Sequence, residues 1–207
     1  MKITEVSPQK NNPSRVSVYA DGRYIFSLDD VDAVVLGIKP GREIDDNELH
    51  NLLYESQFGK AKAKALAVIS QKNVSAKLLS DTLLQKGYDE AVVCEVINEF
   101  TELGYIDDFN YAMLFIEHAA EKLWGPKKIV YELTQKGVDR NTIEDAMSES
   151  TLPGAEEIAG YMAQKYSGED ISDYKVKQRI TRFFASRGFD FNVINDAISI
   201  YAHSIKD

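Results

Sequence analysis

The chain has 207 residues, a net charge of −9, 44% hydrophobic content and a single cysteine, Cys94. That length holds one or two domains, and no apolar run approaches the roughly 20 residues that span a bilayer. One cysteine excludes an intrachain disulfide and fits a reducing compartment, while the acidic balance argues against simple binding of bare nucleic acid, for which a basic domain is expected.

The N-terminus, MKITEVSPQK, lacks the apolar core of a signal peptide, so a cytoplasmic location is expected. Residues 1–28 read as a small antiparallel sheet. Ile3 and Val6 begin one strand, and Arg15 to Ala20 alternates apolar and polar residues. Asp21-Gly22 is a hairpin turn signal, and the returning strand places Tyr24, Phe26 and Leu28 on one face. Asp29 or Asp30 caps a short helix over Val31, Val34 and Val35, ended by Gly37 and Pro40-Gly41. This block, 1–59, is expected to act as a packing cap on the first of the helical repeats, with a partner-binding sheet edge as the alternative.

Asp45 or Asp46 caps a longer helix, with Leu49, Leu52 and Leu53 inward first, then Ala61, Ala65, Leu66 and Ile69. Ser75 caps the next, which buries Leu78, Leu79, Thr82 and Leu83. From Gly104 to Met147 the pattern predicts three short helices. The first follows Asp107-Asp108 and faces inward through Phe109, Ala112, Met113, Ile116, Ala119 and Leu123. Pro126 starts the second, whose inward residues are Ile129, Val130 and Leu133; Gly137 is its left-handed cap. Asp139 opens the third over Ile143, Ala146 and Met147. The segment SESTLPG, 148–154, predicts a flexible hinge. Helices over Ile158–Tyr166, Tyr174–Ser186 and Phe191–Ala202 complete the chain.

Three of these stretches align without gaps: 80–97, 130–147 and 181–198. A basic residue precedes each of Gly87, Gly137 and Gly188, an apolar residue follows, and Asp89, Asp139 and Asp190 come next. The agreement runs on through the following helix, and a period of this size marks a helical repeat array. The expected fold is therefore mainly α: three tandem three-helix repeats (60–105, 106–151 and 152–207) in an elongated array behind a small cap that contains a β-hairpin.

Gly104-Tyr105-Ile106-Asp107-Asp108, then Tyr111-Ala112, then Gly125-Pro126-Lys127-Lys128-Ile129 with Glu132-Leu133 and Lys136-Gly137-Val138 resembles the RecX family, bacterial regulators of the RecA recombinase. Family members often carry a basic residue where this chain has Asn110. The resemblance implies a non-enzymatic, monomeric regulator that docks along the groove of the RecA–single-stranded DNA filament. It would limit filament growth, ATP hydrolysis and strand exchange in recombination, DNA repair and the SOS response. It implies no cofactor and no membrane.

No catalytic constellation competes with that reading. His50, His118 and His203 lie in separate elements without metal-ligand spacing, and the paired aspartates precede helices as caps do. Trp124, before Gly125-Pro126, reads as a packing anchor between helices, with an exposed stacking platform for bases as the alternative. The basic residues carry the binding candidates. Lys175, Arg179 and Arg182 share one flank of a helix beside its Val176, Ile180 and Phe183 stripe. Lys127 and Lys128 stand in a first helical turn, where positive charge is unfavourable for stability, and Arg187 precedes Gly188. The residues alone leave a binding face and a solvated face open; the resemblance implies binding. Lys60 and Lys64 are expected on a solvated face. The alternative function is a helical-repeat module that binds single-stranded nucleic acid without RecA.

Overall fold

The computed structural model describes residues 1–10 and 12–205. The chain is mainly helical, with one three-stranded antiparallel sheet at its N-terminal end. It divides into two compact units. The first comprises Met1–Gln71 and Ser80–Glu99, the second Lys72–Leu79 and Phe100–Asp207.

In the first unit, β1 (Ile3–Gln9), β2 (Asn12–Ala20) and β3 (Arg23–Asp29) pair in the order β1-β2-β3. Asp21 and Gly22 both take positive φ, 49° and 75°, as a two-residue hairpin turn requires. The expected face of β3 is corrected at one residue. Val18 pairs with Phe26 but Tyr19 pairs with Tyr24, so Ile25 is an extra residue in the ladder. A bulge of this kind flips the alternation, and Tyr24 is exposed while Phe26 and Leu28 are buried. The short helix α1 (Asp30–Val35) also departs from expectation. Its three valines face solvent, each more than two-thirds exposed, and Ala33 on the opposite side meets the core. The core already holds Ile38, Ile44 and Leu52 above the sheet, and only a small side chain is brought inward.

Helix α2 (Asp46–Ile69) runs unbroken through Gly59. Its cap is Asp45, whose carboxylate accepts from the Glu48 N–H at 2.7 Å. Ala61, Ala65 and Val68 form its buried stripe, at i, i+4 and i+7; Leu66, expected inward, is exposed. Helices α3 (Ala76–Gln85) and α4 (Glu90–Glu102) contribute to both units, and Leu83, Val92, Val93 and Val96 are buried on the first-unit side.

The second unit holds α5 (Asp108–Glu121), α6 (Pro126–Gln135) and α7 (Arg140–Glu149), then α8 (Ala155–Lys165), α9 (Tyr174–Ser186) and α10 (Phe191–Ser204). Each triplet closes around its own core. Ala112, Ile116, Ile129, Leu133, Ile143 and Ala146 fill the first. Ile158, Met162, Ile180, Phe184, Ile194 and Ala197 fill the second. Within the second, the Tyr201 hydroxyl donates to the Tyr166 carbonyl at 3.0 Å. Three expected inward positions are corrected. Val130 is exposed, Leu123 lies past the end of α5 with φ 52°, and Phe184 rather than Phe183 is the fully buried phenylalanine of α9. The segment expected to hinge is tied at both ends. Ser150 Oγ donates to the Ala146 carbonyl at 2.7 Å, and the Gly154 N–H donates to Glu157 at 2.8 Å.

Candidate functional site

The repeated glycines do more than end helices. Gly137 and Gly188 take φ 78° and 88°, as left-handed caps, and each also receives the start of a helix from the preceding repeat. At the Arg187–Phe189 turn the occupant is the start of α6. The Gly125 N–H donates to the Arg187 carbonyl at 2.7 Å and the Lys127 N–H to the Gly188 carbonyl at 3.2 Å. A Cβ on Gly125 would meet the Gly188 backbone at 2.6 Å, and one on Gly188 would meet the Lys128 nitrogen at 2.3 Å. At the Lys136–Val138 turn the occupant is the start of α3. Ser75 Oγ donates to the Lys136 carbonyl at 2.6 Å, and the Lys77 stem fills the space where a Gly137 Cβ would point.

Adjacent aspartates serve this joint and its helix separately. Asp107 caps α5 through the Asn110 N–H at 2.9 Å, while Asp108 accepts from the Ala76 N–H at 2.8 Å and so caps α3. Desolvation pushes the Asp108 carboxyl above the usual carboxylate range; the Ala76 hydrogen bond opposes the shift, and the charges of Asp107 and Asp139 add to it. Asp139, at the start of α7, is held below that range by the Thr142 hydroxyl and amide.

The six basic candidates fall into two groups. Lys127, Lys128 and Arg187 belong to the joint. Lys127 forms an ion pair with Asp190, and Arg187 donates to the Lys122 carbonyl. The Lys128 ammonium lies 4.1 Å from the centre of the Trp124 ring, and the Arg187 guanidinium 4.5 Å from that of Phe183. Lys175, Arg179 and Arg182 are exposed along one flank of α9, beside the buried Ile180 and Phe184. Arg179 pairs with Glu169 and stacks over Tyr166; Lys175 and Arg182 have no ion-pair partner among the described residues. Lys60 is corrected. It sits between Asp29 and Asp32, at 3.7 and 3.9 Å, and is only 23% exposed.

One feature of α5 is not anticipated by its core stripe. Tyr111, Leu114, Phe115, His118 and Lys122, with Trp124 and Asn73, line a groove of about 280 Å³. The signal is present in the sequence: α5 carries more large apolar residues than that stripe needs. Trp124 packs edge-on against Phe115, with ring centres 6.2 Å apart, consistent with a packing anchor at the groove wall.

Comparison with known proteins bears on all of these elements. Residues 1–45 match the profile of the regulatory protein RecX N-terminal domain, 107–147 that of the RecX second three-helix domain, and 155–198 that of the third. The regulatory protein RecX of Clostridium botulinum (strain Alaska E43 / Type E3) is 31% identical over 201 residues, covering 95% of this chain and 94% of that protein. That of Bacillus subtilis (strain 168) is 30% identical over 199 residues, covering 95% and 75%. A crystal structure of regulatory protein RecX superposes with a TM-score of 0.63 at 23% identity, covering 95% of this chain and 98% of the other. RecX from Lactobacillus salivarius superposes with a TM-score of 0.60 at 26% identity, covering 70% and 97%.

Proposed function

The chain belongs to the RecX family of regulatory proteins, and from that premise we propose that it regulates the RecA recombinase by docking on the RecA–single-stranded DNA filament. Docking limits filament growth and suppresses ATP hydrolysis and strand exchange, so the protein restrains recombination and DNA repair from the cytoplasm as a non-enzymatic regulator. We read its working units as the three-helix repeats 60–105, 106–151 and 152–207. Several weak repeat contacts on a repeating partner add up to firm binding.

The observation that carries the reading is the α9 flank. Lys175, Arg179 and Arg182 project about one turn apart, outside the buried stripe of the same helix. They suit a polyanionic partner, because a row of fixed cations attracts successive phosphates or carboxylates. Lys127, Lys128 and Arg187 contribute through the joint, holding the last repeat in place while leaving Lys127 exposed to the partner.

The test is charge reversal of Lys175, Arg179 and Arg182 together, read as inhibition of DNA-dependent ATP hydrolysis by RecA. The reversed protein should keep its circular dichroism spectrum, since surface substitutions change stability by only about 0.5 kcal/mol, and should lose most of its inhibition. Reversal of Lys64 and Lys72 is the control, because Lys60 is engaged by two aspartates and is unsuited to the purpose. A folded triple reversal that inhibits like the parent would remove α9 from the binding surface. The second reading, direct binding of single-stranded DNA, predicts binding without RecA, with log affinity falling about 0.7 per neutralised phosphate against log salt.

A further inference from the structure

Among the described residues there are three turns of one kind and three helix starts of one kind, and two of each are joined to one another. The Gly137 turn holds the start of α3 and the Gly188 turn the start of α6. The Gly87 turn has the same geometry, with φ 85°, yet nothing lies within 4 Å of where its Cβ would be. Lys86 and Gly87 are exposed. The start of α9 is the unused counterpart; Tyr174, its first residue, is 73% exposed. We propose that a second copy of this chain fills the vacancy, the α9 start of one copy seating on the Lys86–Tyr88 turn of the next, as α6 seats on the Arg187–Phe189 turn within one copy.

The charges at the two free surfaces match those of the joint already formed. Within the chain, Lys127, second in α6, pairs with Asp190, two residues past the turn glycine. The free counterparts are Lys175, second in α9, and Asp89, two residues past Gly87. Arg187, just before the glycine, donates to the carbonyl of Lys122, four residues ahead of Pro126. Its free counterpart is Lys86, and four residues ahead of Tyr174 stands Asp170. The Ser172 hydroxyl and amide hold the Asp170 carboxyl below its usual range. Lys86 and Lys175 have no ion-pair partner among the described residues, and the Asp89 and Asp170 carboxylates accept from near neighbours in the chain, Ala91 and Ser172. Two ion pairs therefore form across the contact, one in each direction.

The contact between copies is weaker than the one within a copy. The Gly125 and Lys127 amides both cross the internal joint, whereas the matching Asp173 and Lys175 amides are taken up by the Asp170 carbonyl at 3.1 Å and the Asp173 carboxylate at 2.8 Å. Association is thus reversible and sensitive to salt. It is also heterologous, a turn on one copy against a helix start on another, so it propagates rather than stopping at a symmetric dimer.

Sedimentation velocity of the full chain at low ionic strength tests this. As concentration rises to the solubility limit, the weight-average sedimentation coefficient should climb past that of a dimer, and added salt should reverse the climb. Lys86→Glu spoils only the turn, and Lys175→Glu spoils only the helix start. Each variant alone should stay monomeric, its association constant at least about tenfold weaker than the parent's. Mixed in equal amounts, the first still offers an intact α9 start and the second an intact turn, so the mixture should form dimers and grow no further. Circular dichroism verifies the fold of both. A parent that is monomeric at every concentration, variants that associate like the parent, or a mixture no larger than its components overturns the proposal. No readout involves RecA, so the outcome does not depend on the proposed function.

Discussion

At the scale of single residues, the turn glycines separate two costs usually confounded. Gly125 has φ −85°, an ordinary value for any residue, but no room for a Cβ. Gly87 has a left-handed backbone but open space. Gly125→Ala should therefore destabilise through overpacking against backbone, by about 1–3 kcal/mol. Gly87→Ala should lose about 1–2 kcal/mol through conformational strain alone. Chemical denaturation of the two variants measures the difference. Asp108 and Asp139 make a second pair of opposites. The folded chain raises the Asp108 value above the ordinary 3.8, so Asp108 contributes stability that is present at acid pH and lost as pH rises through its folded value. It lowers the Asp139 value below 3.8, so that contribution is present above 3.8 and lost as pH falls through the folded value. Asp108→Asn, which keeps an acceptor for the Ala76 N–H, should remove a decline of melting temperature on the rising side of 3.8. Asp139→Asn should remove a decline on the falling side. Melting curves across the acid range test both signs.

At the scale of elements, α9 shows how a strongly amphipathic helix still leaves its register open. Phe183 and Phe184 are adjacent, and spacing from Val176 and Ile180 favours the first. The structure buries Phe184 completely among Tyr161, Phe183 and Phe189, while Phe183 stays half-buried between Lys165 and Arg187. Phe184→Ala should cost about 3–5 kcal/mol. Phe183→Ala should cost clearly less, because solvent already reaches that ring, and thermal or urea unfolding ranks the two. In α1 the turn of the helix is the other way round: three valines share a face, and that face is outside. Periodicity identifies a face; which face meets the core depends on what else fills it, here Ile38 and Ile44.

At the scale of the whole molecule, the net charge of −9 and the local α9 flank pull in opposite directions. A polyanion is attracted near the flank and repelled by the rest. The proposed docking therefore predicts inhibition of RecA that is more tolerant of added salt than binding to single-stranded DNA alone, because contacts with RecA would supplement the phosphate contacts and only the latter would carry the full counterion-release dependence. Parallel salt titrations of ATPase inhibition and of oligonucleotide binding make the comparison; equal slopes would favour the bare nucleic-acid reading.

Helix existence, caps and the glycine repeat were legible in the sequence because they are local. Asp45, Asp107 and Asp139 accept from amides two or three residues away, and Gly87, Gly137 and Gly188 need only their own backbone to be read. The resemblance to a family lay in the same contiguous stretch, Gly104 to Val138. What tertiary structure decided were contacts between residues some sixty positions apart. Gly125 against Gly188, Ser75 against the Lys136 carbonyl and Lys127 against Asp190 have no periodicity linking their partners. The same contacts assign Lys127, Lys128 and Arg187 to a joint and leave Lys175 and Arg182 on the α9 flank without an ion-pair partner among the described residues. Local hydrogen bonding and hydrophobic period act within a few residues and are written in order along the chain; steric fit and ion pairing between repeats exist only once the repeats have met.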